Sequence, residues 1–135
     1  MSPSATAVHM IELSGAEALW MLEGRGLGRL VYVQHDSAVI RPARHVWEFG
    51  RLVVRAPAPA AVVPVSATYH VDEVRAATGT GWTVAASGPV QVVDDPDEAA
   101  HYRRTLPGWT HGPHDTLLYL RPKIVRGYRL VGPGA

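Results

Sequence analysis

Arg44 and Arg55 pose the first chemical question of this 135-residue sequence. They flank the tetrapeptide Glu48-Phe49-Gly50-Arg51, which reads as a hairpin turn with Gly50 supplying the unusual φ. If Phe49 and Gly50 form the loop, Glu48 pairs with Arg51 and Arg44 falls opposite Arg55. Like charges directly across a ladder are unfavourable. Two arrangements relieve the conflict: both side chains point to water, or an anion sits between them, which the guanidinium fork suits.

Other residue types narrow the chemistry. There is no cysteine, which removes disulfides, thiol nucleophiles and cysteine-ligated metals. His111, His114 and Asp115 share one loop, but Gly112-Pro113 between them is turn chemistry and a third spaced ligand is missing, so no metal site is read there. No G-x-S-x-G elbow is present. The segment Gly24 to Gly28, "GRGLG", completes no nucleotide fingerprint and reads as a linker. His45, His70 and His101 read as half-buried or surface residues, and His45 is the candidate general acid or base, because imidazole titrates near neutral pH. Trp20 and Trp47 read as core. Trp82 and Trp109, in glycine- and proline-rich surroundings, read as rims that could face a flat anionic ligand.

The elements that must position these residues are short and mostly extended. One domain is the simplest reading of this length. Thirteen glycines and eleven prolines are spread along the chain, as in an all-β barrel or sandwich. Met1 to Met10 reads as a tail, residues 11–131 as the domain and residues 132–135 as a second tail. Ser14 and Glu17 form a capping box for a helix with Ala18, Leu19 and Leu22 on its apolar face, ended by Gly24, Gly26 and Gly28. Strands are expected at Arg29–Gln34, Ala38–Trp47, Leu52–Ala56, Val65–Val74, Trp82–Val93 and Asp115–Arg121, with Lys123–Leu130 partly extended. Asp95 caps a second helix with Pro96 at its first position, running to Leu106.

Net charge is +1, so neither nucleic acid nor a membrane surface is an expected partner. Arginines nevertheless cluster: four against one acid from Ser37 to Val71, which suits a small anion. No secretory pattern opens the chain and no apolar run approaches the ~18 residues that span a bilayer. A soluble, cytoplasmic protein is expected.

The order "GRLVYV", "AVIRPARHV", "GRLVVRA", "HVDEV", "TGTGWTVAASGPVQVVDDPDE", "GWTHGPHD" and "LRPKIVRGYRL" resembles the pyridoxamine 5′-phosphate oxidase-like proteins of actinobacteria. The resemblance runs from Glu12 to Leu130. It implies a mainly β fold: a six-stranded Greek-key split β-barrel with two short helices, usually a homodimer, with a flavin in a groove at the dimer interface. Its cofactor is FMN, or alternatively the deazaflavin F420. On that pattern Arg41, Pro42, Arg44 and His45 belong to the strand under the flavin ring. Arg55 and Ala56 lie on the strand leading to the phosphate. Trp82 and Thr83 are ring-side, and Trp109 and Arg129 match C-terminal positions of the family.

The chain also departs from that pattern. Pro42-Ala43-Arg44 stands where relatives have Pro-Val-Asn, Ala56 stands where they have Thr, and Pro57 to Ser66 lacks the usual glycine and lysine of a phosphate clamp. Arg44 with Arg55 could replace it. The resemblance implies an FMN- or F420-dependent oxidoreductase acting on a small molecule. The alternative is a non-catalytic split barrel that binds a flavin, haem or another small ligand.

Overall fold

The computed structural model describes residues 7–60 and 65–133. Among them the order is β1 (His9–Glu12), α1 (Gly15–Leu22), β2 (Arg25–Gln34), β3 (Ser37–Glu48), β4 (Arg51–Ala56), β5 (Ser66–Val74), β6 (Gly81–Val92), α2 (Pro96–Thr105), β7 (Thr116–Leu120) and β8 (Ile124–Val131). Every pairing is antiparallel. The sheet runs β1-β8-β6-β5-β2-β3-β4-β7, and a further β6–β7 pairing closes β2-β3-β4-β7-β6-β5 into a six-stranded barrel. The mainly β barrel with two helices expected from the sequence is therefore the observed fold.

The split lies on β6. Its first half, Gly81 to Ser87, pairs with β8; Val90 to Val92 pair on the same edge with β7. Gly88 stands at the changeover. There the Arg121 N–H donates to the Pro89 carbonyl at 3.1 Å and the Lys123 N–H to the Ser87 carbonyl at 2.8 Å. A Cβ at position 88 would overlap the Arg121 carbonyl oxygen, so the crossing chain requires glycine. β8 then leaves the barrel and carries β1 on its outer edge. His9 and Met10, expected in the tail, are thus paired with Val131 and Leu130.

Period-two alternation sorts the side chains. Leu30, Ala43, Val54, Tyr69, Val84 and Leu118 fill the barrel. The opposite faces of β3, β4 and β7 present Val46, Val53, Leu117 and Tyr119 to Tyr102 and Leu106 of the α2 segment, making a second core. All five residues of β7 are consequently buried. α2 begins as the sequence predicts, with Asp95 accepting from the Asp97 and Glu98 N–H groups and Pro96 at its first position.

α1 carries the expected capping box. Ser14 Oγ accepts from the Glu17 N–H at 3.1 Å, and Glu17 Oε1 accepts from the Ser14 N–H at 3.3 Å. Ala18 and Leu22, one turn apart, enter the barrel core. Trp20 lies between them in sequence and therefore on the far face of the helix; it is 70% exposed, not a core residue. Trp47 does pack on the core. Gly26 and Gly28 are strand residues of β2 rather than a linker. A Cβ at 26 would lie 2.6 Å from His45 Cε1, and one at 28 would lie 2.6 Å from the Tyr69 hydroxyl. The "GRGLG" spacing serves two rings that press against β2 from inside the barrel. No helix of the described residues is long and apolar enough to cross a membrane.

A cationic, aromatic cleft as the candidate functional site

The hairpin register is the one read from the sequence: Glu48 faces Arg51 and Arg44 faces Arg55. Phe49 and Gly50 both take positive φ, 55° and 74°, the pair of left-handed residues that a two-residue type I′ turn demands. For one of the opposed cations the chain itself supplies the counter-charge. Arg55 donates from Nε and Nη2 to both oxygens of Asp115, at 2.9 and 3.0 Å. Its Nη1 donates to the Leu106 and Arg103 carbonyls at 2.8 and 3.1 Å. Its side chain is only 13% exposed. The Arg55 guanidinium beside Asp115 holds that carboxyl below the usual carboxylate range, with burial opposing and Arg103 assisting. Every edge of the Arg55 fork is occupied by this chain itself.

Arg44 is different. No hydrogen bond or salt bridge engages its guanidinium among the described residues; it lies over the Trp109 ring, 5.4 Å from the centroid. Trp109 in turn closes one end of a cleft of about 300 Å³ on the outer face of the barrel, lined by Leu27, Gly28, Arg29, Ile40, Pro42 and Asp72. The β2–β3 register builds this face, setting Leu27 opposite Arg44, Arg29 opposite Pro42 and Val31 opposite Ile40. Leu27 and Ile40 stand 54% and 56% exposed. The cleft is therefore a mostly apolar shelf with a tryptophan at one end and an unpaired guanidinium beside it.

A second depression lies next to the first. β2 pairs with β5 only from Arg29 to Val31, whereas it pairs with β3 along its whole length. The gap opened toward Arg25 is a crevice of about 300 Å³ lined by Met21, Leu27, His45, Asp72, Glu73 and Trp82 among others. Leu27 and Asp72 line both depressions. Trp82 is half-buried, packs on the barrel core and donates its indole N–H to Glu73 at 3.2 Å.

His45 forms the floor of that crevice and, at 2% exposed, is fully buried rather than the half-buried or surface residue expected, because its position on β3 faces the barrel interior. Its Nε2 lies 3.0 Å from the Leu22 carbonyl, which can only accept, so the proton sits on Nε2. Nδ1 then accepts from the Tyr69 hydroxyl at 2.9 Å. Burial pushes the imidazole below its usual range, against the raising effect of the Leu22 carbonyl. Burial likewise pushes the Tyr69 phenol up. With both nitrogens engaged, His45 offers no lone pair to a substrate or an iron.

The remaining sequence candidates are dispersed. Arg41 shares the strand face of His45, away from Pro42 and Arg44, and reaches the Ile40 carbonyl at 3.4 Å. Ala56 is fully buried. Thr83 Oγ1 meets His70 Nε2 at 2.6 Å on the outer face of β5 and β6. Arg29 joins this chain, 3.2 Å from Asp72 and 3.4 Å from His70 Nδ1. Arg129, opposite Trp82 on β8, borders a surface hollow with Trp20 and Met21. Of the clamp segment Pro57 to Ser66, residues 61–64 lie outside the described residues. The structure thus gathers Pro42, Arg44 and Trp109 and adds Leu27, Arg29 and Ile40, which sequence reasoning passed over. Their signal was parity: once Pro42 and Arg44 are placed outward, Ile40 follows, and the pairing with β2 supplies the other two.

Comparison with known proteins agrees with this architecture. Residues 14–129 match the family model described as pyridoxamine 5′-phosphate oxidase. The chain is 32% identical over 138 aligned positions to an uncharacterized protein of Mycobacterium tuberculosis, covering 93% of this chain and 89% of that one. Among solved structures, a protein of unknown function from Corynebacterium diphtheriae superposes with a TM-score of 0.70 at 23% identity, covering 90% and 98% of the two chains. A FAD-binding protein of Mycobacterium smegmatis superposes with a TM-score of 0.64 at 21% identity, covering 89% and 97%.

Proposed function

This chain belongs to the pyridoxamine 5′-phosphate oxidase family, and from that premise we propose that it binds a flavin, FMN or the deazaflavin F420, and acts as a flavin-dependent oxidoreductase on a small molecule. The observation that carries the reading is Arg44 over Trp109, a guanidinium without an acidic partner at the mouth of an apolar shelf. A planar ring with an anionic tail fits such a site. Leu27, Ile40 and Pro42 offer the ring an apolar floor, Trp109 an aromatic wall, and Arg44 donors for the phosphate or carboxylate. The FAD-binding relative from Mycobacterium smegmatis has the same fold, which supports a flavin over an unrelated anion. A bound flavin would supply hydride chemistry; the chain would orient it and keep water from its apolar side.

The shelf is open on one side. A second copy covering Leu27, Ile40 and Trp109 would close it, so the working unit we propose is a homodimer. Arg55 is left out of the ligand set because Asp115, Leu106 and Arg103 already occupy its donors. His45 is left out of the catalytic set because both its nitrogens are engaged. The carboxylate that lines the cleft, Asp72, is paired with Arg29 at 3.2 Å, and the engagement of both groups favours a second reading, a non-catalytic flavin carrier.

Titration of FMN, F420 and FAD against the purified protein, followed by visible absorption, tests the binding step. Saturable binding of one flavin per chain is the expected result, and no binding of any of them refutes the reading. Turnover of the reduced, bound flavin by an added electron acceptor then separates oxidoreductase from carrier.

A further inference from the structure

Trp109 sits in a loop, and aromatic walls on loops are useful only if the loop is held. The segment from Pro107 to Asp115 leaves α2 and returns at β7. It is fastened at both ends by one side chain. At the α2 end Arg55 Nη1 takes the Leu106 and Arg103 carbonyls, which the end of the helix leaves without intrahelical donors. At the β7 end the same guanidinium grips the Asp115 carboxylate with two parallel bonds. Arg103 adds a bond from Nε to that carboxylate at 3.3 Å and one from Nη2 to the Asp115 carbonyl at 2.7 Å.

The middle of the loop rests on the same residue. A Cβ at Gly108 would lie 2.9 Å from Arg55 Cδ and 3.0 Å from Cγ. The Arg55 stem cannot yield, because its head group is fixed by four hydrogen bonds. Glycine at 108 therefore lets the loop lie flat on the aliphatic part of Arg55, and the next residue, Trp109, is turned toward Arg44 and the cleft.

We propose that the Arg55–Asp115 ion pair is the positioning element of the ligand cleft, fixing through Gly108 the orientation of Trp109 under Arg44. The cross-strand opposition of Arg44 and Arg55 then has a division of labour: one arginine faces the ligand, and its neighbour holds the wall on which that arginine lies. The pair acts through Trp109 and is not in contact with the ligand. The part of the test that uses a flavin rests on the reading given above; the other part does not.

Label the four tryptophans with fluorotryptophan, assign the Trp109 fluorine resonance with Trp109→Phe, and record spectra of the ligand-free protein. Gly108→Ala, which leaves every charge in place, and Arg55→Lys, which keeps the charge but loses the fork, are expected to shift or broaden the Trp109 resonance. The resonances of Trp20, Trp47 and Trp82 are expected to stay put. An unmoved Trp109 resonance overturns the inference, and so does a shift of all four, which would mean a general loosening of the fold. In FMN titrations each variant is expected to bind about ten-fold more weakly, the scale of a lost aromatic contact. In a Trp109→Ala background Arg55→Lys is expected to have no further effect; additive losses would overturn the inference. If the wild type binds no flavin, the proposed function fails while the fluorine spectra still decide this one.

Discussion

The hydroxyl of Tyr69 and Nδ1 of His45 meet at 2.9 Å inside the barrel, with the two rings edge to face and 4.9 Å between centroids. His45 continues to the carbonyl of Leu22 at the end of α1. Three elements, β5, β3 and α1, are thereby joined through one buried imidazole. A buried polar chain of this kind is stabilising only when each member is satisfied.

Tyr69→Phe leaves His45 Nδ1 buried without a donor. The expected loss is about 1–3 kcal/mol, read as a lower midpoint in denaturant with an unchanged slope. An unchanged midpoint would show that the bond carries no stability.

Stability should also fall with acid. The pKa of His45 is lowered in the folded state from the ordinary 6.5, chiefly by burial. Below pH 6.5 the unfolded chain takes up a proton that the folded chain resists, so stability is complete above that value and declines as pH falls through it. Thermal unfolding between pH 8 and pH 5 (an interval of about three units bracketing ordinary histidine titration) checks this. His45→Gln should flatten the part of the slope that His45 supplies.

Gly88→Ala places a methyl group on the Arg121 carbonyl, where the chain crosses β6 between β7 and β8. Both the backbone of β6 and the crossing segment are held by hydrogen bonds, so neither can move away cheaply. A loss above about 4 kcal/mol is expected. Soluble expression and circular dichroism will report it.

Arg44 and Arg55 should respond oppositely to truncation. Arg44→Ala removes a half-buried cation with no acidic partner and should leave stability within about 0.5 kcal/mol, while weakening flavin binding by roughly ten- to hundred-fold. Arg55→Ala leaves the Asp115 carboxylate with Arg103 alone and two carbonyls without their donor, and should cost about 3 kcal/mol or more. Paired melting curves and flavin titrations distinguish the two; equal melting points would contradict the geometry.

The proposed homodimer makes a further prediction. Light scattering at micromolar concentration should report twice the chain mass, and Ile40→Asp, at the exposed apolar rim of the cleft, should shift it toward the monomer. A wild type that scatters as a monomer would remove the second wall of the proposed flavin groove.

Much of this protein was determined locally. The Phe49-Gly50 turn set the register that opposes Arg44 and Arg55, because a two-residue loop leaves the flanking strands only one pairing. Ser14 with Glu17, and Asp95 with Pro96, located both helices, because caps satisfy backbone groups within a few residues of themselves. Alternation marked the barrel strands. Away from the helix caps, the tertiary structure decided which partner each polar side chain took. Arg55 and Asp115 are 60 residues apart, and nothing near either one names the other; they meet only because β4 pairs with β7. Gly26 and Gly28 looked like linker residues because the rings that need them, His45 and Tyr69, arrive from β3 and β5. Trp20 looked like core because its size says nothing about which face of α1 the barrel covers. Closing the barrel fixes these relationships together, since one set of strand pairings chooses the inner face, the outer face and the neighbours of every side chain on both.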